Sequence, residues 1–195
     1  DFMLECQPVA SLSNQEQIDQ VAVTVDPSNL AVLLVAVRFK DTSHVTIYNR
    51  TWSEITTLPM KCQLESTRGN SLSMIYCLNE NTIIGYTTGL DGNLRNFTID
   101  ANALGLTSFD PISIATSNRY PNLLFIQQPT SILIVCVGYA PDFFQIISTL
   151  NLSEVTGNYS FVIAEQQIVI LQDDSISNYD ISNIRAPAVI NQGLN

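Results

Sequence analysis

One histidine, one tryptophan and eight basic residues are all that this 195-residue chain contains of those types, and each scarcity removes a class of function. With His44 as the sole imidazole and cysteines only at 6, 62, 77 and 136, the chain has no CxxC or Cys/His spacing to ligate zinc. No GxSxG elbow and no nucleotide-binding signature occurs, so no metal or cofactor is expected. The eight Lys and Arg are unclustered and are outnumbered by eighteen acidic residues, giving a net charge of −10. That excludes nucleic acid and anionic membrane as natural partners. The longest apolar stretch, Leu30 to Val37, is about a third of a bilayer-spanning helix, so no membrane span is expected. The first residues, DFMLECQPV, lack a basic leader followed by an apolar core, as a mature secreted product or a fragment of something longer would. Helical signals are also thin. Asn14 to Val21 offers one or two turns at most before the β-branched VAVTVDP.

What the chain does have is apolar residues, 46% of the total, arranged as a repeat. Four times an apolar run breaks at a short loop containing Asp and resumes as a second β-like run. The hairpins are LLVAVRFKDTSHVTIYN, IIGYTTGLDGNLRNFTI, ILIVCVGYAPDFFQII and IVILQDDSISNYDI, with Asp41, Asp91, Asp142 and Asp174 in their loops. The first run of each (AVLLVAV, TIIGY, SILIVCV, QIVIL) is almost continuously apolar, the pattern of a strand covered on both faces. Another strand candidate precedes each hairpin (VAVTV, SMIYCL, NLLFIQ, YSFVIA), and before the first three lies a segment led by Pro8, Pro59 or Pro111. Proline is tolerated at strand starts and edges. Four-stranded units of this size predict an all-β fold, a β-propeller-like array of four antiparallel blades in one domain, either a closed four-bladed ring or part of a larger propeller. The expected blades are 8–58, 59–110, 111–151 and 152–185, the last with a first strand near 152–156. Segment 186–192 (from PAVINQ) is left over, to close the first blade, begin a next one, or add to the sheet of another copy and build a filament.

Cys62 and Cys77 fall on the first two strands of the second unit, where antiparallel neighbours would bring them opposite one another, so a disulfide is expected there. Cys136 reads as a buried free thiol or a partner of Cys6. Asn-x-Ser/Thr sequons stand at Asn49, Asn96, Asn151 and Asn158. Chance would supply about three in such a composition, but the first three each lie in or just after the second strand of a hairpin, where glycans would shield blade edges.

Residues 160–192, SFVIAEQQIVILQDDSISNYDISNIRAPAVINQ, resemble the repeat of bacterial and archaeal surface propellers named for their LVIVD motif. Asp180, Ile181, Ser182 and Asn183 match that family's DISN, Ile184 stands where it has proline, and Pro187 matches the next proline of the motif. The resemblance implies a propeller and a cell-surface setting, and it carries no catalytic residue across.

His44 with Asp41 and Ser43 nearby is raw material for a triad, but a short polar loop does not order one. The loop aspartates read as turn residues rather than calcium ligands. The scattered carboxylates Asp26, Glu54, Glu65, Glu80, Glu154 and Glu165 leave glycoside chemistry thinly supported, and the lone Trp52 reads as a packing residue. The expectation is therefore an extracellular or cell-surface glycoprotein that is not an enzyme and serves as a binding or assembly module through protein partners or self-assembly. The alternative is a secreted propeller enzyme acting on carbohydrate.

Overall fold

A computed structural model describes residues 17–25, 32–40, 44–49, 51–58, 62–66, 74–88, 93–138, 144–152, 159–172 and 175–194. They form four separate four-stranded antiparallel sheets. Sheet 1 is β1 (Ile18–Val25), β2 (Val32–Phe39), β3 (Val45–Asn49) and β4 (Glu54–Leu58). Sheet 2 is β5 (Gln63–Ser66), β6 (Ile75–Asn79), β7 (Thr82–Thr88) and β8 (Leu94–Ile99), and the single-turn helix α1 (Ala101–Leu104) comes after it. Sheet 3 is β9 (Ser113–Thr116), β10 (Leu123–Gln128), β11 (Ser131–Val137) and β12 (Phe144–Asn151). Sheet 4 is β13 (Ser160–Ala164), β14 (Gln167–Gln172), β15 (Ser175–Asp180) and β16 (Ala188–Leu194). In every sheet the strands lie in chain order.

The core is three layers between successive sheets. Ala36 and Ile47 of sheet 1 meet Leu64 and Cys77 of sheet 2. Tyr76, Phe97 and Ile99 of sheet 2 meet Leu124 and Val135 of sheet 3. Phe125 and Ile134 of sheet 3 meet Phe161, Ile168 and Tyr179 of sheet 4. Because β2, β7 and β11 are buried on both faces, they read as near-continuous apolar runs in the sequence.

The repeated hairpin does not occupy one place in every sheet. It forms strands three and four of sheets 2 and 3, but strands two and three of sheets 1 and 4. The difference is set by the turn at the hairpin's C-terminal end. After β3 the side-chain oxygen of Asn49 accepts from the backbone N–H groups of Thr51 and Ser53, at 3.0 and 2.9 Å, and this compact turn returns the chain as β4. After β15, Asp180 accepts from the Ser182 N–H at 2.8 Å and from its hydroxyl at 3.0 Å, while the Asn183 carbonyl takes the Ala186 N–H. That double turn brings residues 188–194 back against β15. The expected closing or next-blade strand is therefore the outer strand of sheet 4. After β8 the opposite happens. Asp100 caps α1 by accepting from the Ala103 N–H at 2.8 Å, Gly105 ends it at φ 67°, and the chain leaves the sheet.

Cys62 and Cys77 form the expected disulfide, with Cα atoms 5.5 Å apart. Cys136 is a free, half-buried thiol on β11. Cys6, the Pro8-led segment, most of 152–156 and the four loop aspartates lie outside the described residues.

Candidate functional site

The first strands of the sheets stand side by side, β1 beside β5, β5 beside β9 and β9 beside β13. Glutamine amides tie them together. The Gln20 side chain on β1 donates to the Leu64 carbonyl at 2.6 Å and accepts from the Leu64 N–H at 3.0 Å. Gln63 on β5 repeats this on Ile114 of β9, at 3.0 and 3.3 Å. A side-chain amide thus does what a neighbouring peptide group does in a ladder. In sheet 3 the link is relayed. The Ser113 hydroxyl donates to the Gln127 side-chain oxygen at 2.5 Å, and the Gln127 amide donates to the Tyr159 carbonyl at 2.6 Å. Arg38, paired with Asp19 at 2.6 Å, also donates to the Cys62 carbonyl.

With the strands held in this way, the C-terminal ends of β5, β9 and β13 converge on a cleft of about 630 Å³. Ser66, Thr116, Ser117, Asn118, Arg119, Ile163 and Glu165 line it. The loop after β9 is held by one local and one long-range bond: the Ser117 hydroxyl accepts from the Arg119 N–H at 3.2 Å, and the Tyr120 hydroxyl donates to the Ile181 carbonyl, 61 residues on, at 3.2 Å. Arg119 and Glu165 are exposed, and neither side chain has a partner among the described residues. Glu165 occupies a two-residue turn between the paired Ala164 and Gln167 at φ 50°, and Glu80 does the same between Asn79 and Thr82 at φ 49°. The left-handed backbone is hence a property of these hairpins and not of the cleft.

Glu65 sits one residue before the cleft wall. Its carboxylate accepts from the Thr116 hydroxyl at 3.4 Å, and that hydroxyl also donates to the Ser66 carbonyl at 2.8 Å. Burial pushes the Glu65 carboxyl above its ordinary 4.5, with the Thr116 hydrogen bond acting the other way. The Glu65 carboxyl therefore keeps its proton to higher pH than an exposed glutamate does, in contact with the Thr116 hydroxyl that lines the cleft.

Of the described residues singled out in the sequence, Glu165 lines the cleft, Glu65 reaches it only through Thr116, and the others lie elsewhere. His44 precedes β3 and stacks obliquely on Phe39, with centroids 6.1 Å apart. Trp52 lies 6.3 Å from the Tyr48 ring in the turn before β4, a packing role on an exposed turn. Asn96 and Asn151 are exposed on the outermost strands β8 and β12. Asn49 is half-buried on β3, which β4 covers, so the edge-shielding argument does not apply to it. Asn158 lies outside the described residues. Among the described residues no helix is long and apolar enough to cross a membrane, and no group of three or more His, Cys, Asp or Glu is arranged to hold a metal.

No family model matches the chain, and no curated protein matches it in sequence. Solved structures do. A functionally unknown protein from Desulfotomaculum acetoxidans superposes with a TM-score of 0.60 at 14% identity, over 96% of this chain and 59% of that one. The periplasmic gluconolactonase PpgL of Pseudomonas aeruginosa gives 0.55 at 11%, over 87% and 52%. A provisionally assigned 6-phosphogluconolactonase from Bacteroides uniformis gives 0.56 at 12%, over 92% and 55%. The chain thus spans between half and three fifths of the length of these structures. At such identities the likeness carries the fold, a propeller-type array. It also corrects one expectation. Two of the three are named as lactonases, so a lack of familiar motifs does not make a chain of this fold a non-enzyme.

Proposed function

We propose that the chain acts on a small carbohydrate, a sugar or sugar lactone, in the cleft at the ends of β5, β9 and β13. The observation that carries this reading is the half-buried Glu65, its proton affinity raised by burial, beside the Thr116 hydroxyl. Ser66, Ser117 and Asn118 offer sugar-matching hydroxyl and amide groups, and Arg119 offers charge for an anionic substituent. In lactone opening, water adds to the ring carbonyl, the acyl C–O bond breaks, and the ring oxygen takes up a proton, which Glu65 is suited to deliver. The gluconolactonase names among the neighbours support this by fold-level analogy only. The test is acid release from glucono-δ-lactone in a pH-stat. The rate should exceed that of buffer, fall about a hundredfold to ten-thousandfold in Glu65→Gln, and show a raised KM in Arg119→Ala. A rate equal to buffer, with no heat on titration of lactones or sugars, rules the reading out.

The same proposal places the chain in an oxidising compartment, extracellular or periplasmic, which the Cys62–Cys77 disulfide supports. A second reading, a glycosylated surface module akin to the LVIVD-type propellers that residues 160–192 resemble, is favoured by the exposure of Asn96 and Asn151 on outer strands. Glycopeptide spectra of native material with both asparagines bare would remove it.

A further inference from the structure

The carboxyl that the proposed chemistry needs stands behind the cleft wall. Ser66 and Thr116 are part of that wall, whereas Glu65 is not. On the ladders Glu65 pairs with Tyr76 and Thr116 pairs with Leu124, and both partners belong to the layer between sheets 2 and 3. Residues paired across a ladder share a face of their sheet, so Glu65 and Thr116 look at one another across the end of that layer. The Thr116 hydroxyl donates to the Glu65 carboxylate at 3.4 Å, and its shorter bond goes to the Ser66 carbonyl at 2.8 Å. One oxygen, Thr116 Oγ1, therefore joins the carboxyl to the cleft. Few charged or titratable groups surround this contact among the described residues. Tyr76 is fully buried, which pushes its phenol well above the usual tyrosine range, and its hydroxyl donates to the Met74 sulfur at 3.4 Å. Arg119 and Glu165 stand on the other walls of the cleft, and on the sheet 1 side Asp19 and Arg38 are paired with each other.

We propose that Thr116 is the proton relay between Glu65 and a substrate in the cleft. The inference rests on the lactone reading, and it supplies a path from a carboxyl behind the wall to a substrate in front of it. As the acyl C–O bond breaks, the Thr116 O–H bond breaks toward the leaving ring oxygen and the Glu65 O–H bond breaks toward Thr116 Oγ1. The ring oxygen gains a hydrogen, threonine keeps one, and Glu65 is left as a carboxylate. The water that adds to the carbonyl sheds one proton to solvent and solvent returns one to Glu65, so the sum is lactone plus water to hydroxy acid. The observed arrangement, with Thr116 donating to the Glu65 carboxylate, is the state that such a transfer leaves behind. A residue that merely tuned Glu65 would behave in the opposite way. The Thr116 hydrogen bond acts against burial, so without it Glu65 keeps its proton to still higher pH. Removing a tuning residue leaves more of the acid form at neutral pH, whereas removing a relay strands the proton.

The experiment measures opening of glucono-δ-lactone by the parent, Thr116→Val, Thr116→Ser, Glu65→Gln and the Glu65→Gln/Thr116→Val double variant, each checked for an unchanged far-ultraviolet circular dichroism spectrum. The Glu65 carboxyl is titrated by NMR in the parent and in Thr116→Val. The valine variant keeps the shape and loses the hydroxyl, so it should slow about a hundredfold to ten-thousandfold, as Glu65→Gln does, while its Glu65 titrates at higher pH than in the parent. Thr116→Ser should keep most of the parent rate. The double variant should be no slower than either single one, because members of one relay fail together. In mixtures of light and heavy water the parent rate should curve with deuterium fraction, since more than one proton moves in the step. A Thr116→Val protein as fast as the parent overturns the relay and leaves Glu65 as a direct acid. A serine variant as slow as the valine one, or losses that multiply in the double variant, overturns it too. A parent no faster than buffer removes the lactone reading and the relay with it. If Thr116→Val fails to fold, the serine variant and the heavy-water series still decide, a straight line in that series counting against the relay.

Discussion

Gly85→Ala isolates how tightly the layer between sheets 2 and 3 is packed. Gly85 on β7 pairs with Tyr76 on β6 and Phe97 on β8, and the Phe97 ring lies flat over the missing side chain. A Cβ at Gly85 would fall 2.6 Å from Phe97 Cε1 and closer still to Cζ and Cε2. Carbon atoms rest about 3.5–4.0 Å apart, so the ring must retreat by roughly 1 Å or more. It has nowhere free to go. Phe97 is 6% exposed, meets Tyr76 edge-on with centroids 6.4 Å apart, and meets Phe144 at 5.1 Å. Overpacking of this kind costs about 1–3 kcal/mol, and the lower chain entropy of alanine in the unfolded state returns about 0.4–1. The expected net loss is about 1 kcal/mol, or roughly 2–4 °C in Tm for a chain of this length. Urea unfolding of four proteins measures it: the parent, Gly85→Ala, Phe97→Leu and the double variant. Phe97→Leu alone leaves a void, whereas in the double variant leucine vacates the space that the alanine methyl needs. The two changes should therefore couple favourably by about 1 kcal/mol. A Gly85→Ala loss below about 0.5 kcal/mol, or strictly additive losses, would refute the idea that glycine is there to seat the ring.

Reduction of the disulfide, or Cys77→Ala, should lower stability by about 3 kcal/mol in the chain-entropy account of a loop this long, since the cysteines are 15 residues apart. Unreduced native protein whose peptide map shows both cysteines alkylated would contradict the bond itself. Glu65 gives a pH signature. Because burial raises its carboxyl above 4.5 in the folded state, the folded protein binds that proton more tightly than the unfolded chain does. The associated stability is fully present below pH 4.5 and is lost as pH rises through the folded-state value. The parent should therefore lose stability over that window relative to Glu65→Gln, which keeps an acceptor for Thr116 and does not titrate. Parallel stability curves for the two proteins would remove the shift.

Much of the fold can be read from the sequence, and most of the readable parts share a physical cause. The four apolar runs are β2, β7, β11 and β14; the first three are buried on both faces and so have little room for polar residues, whereas β14 is apolar from Ile168 to Leu171 although Leu171 is exposed. The strand positions within each sheet are harder to read. Strand β4, EITTL, is largely exposed and carries no apolar run to announce it. Strand β16 is visible as a strand, but its partner depends on the turn that Asp180 and Ser182 make and not on its own residues. The short helix α1 escapes a reading by pattern although Asp100 and Gly105 are ordinary cap residues, because a single turn offers no apolar periodicity to detect.

The cleft is illegible for a different reason. In the sequence Glu65 is one of several scattered carboxylates, and Gln20 and Gln63 are plain polar residues in strand-like segments. Their meaning is set by partners about one unit further on: Gln20 reaches Leu64 over 44 residues, and Gln63 reaches Ile114 over 51. Those spans are close to the hairpin spacing of 50 and 51 residues between Asp41, Asp91 and Asp142. On sheets 1 and 2 a polar side chain on the first strand of one blade therefore finds the first strand of the next, whereas in sheet 3 the link runs through Gln127 of the second strand. The same rule brings Glu65 to Thr116, 51 residues away, and so sets a partly buried carboxyl against a residue of the cleft wall. In a repeat fold the residues of a site need not be close in sequence or form a motif. They need only sit at matching positions one repeat apart, and that signal appears only after the units have been aligned strand by strand.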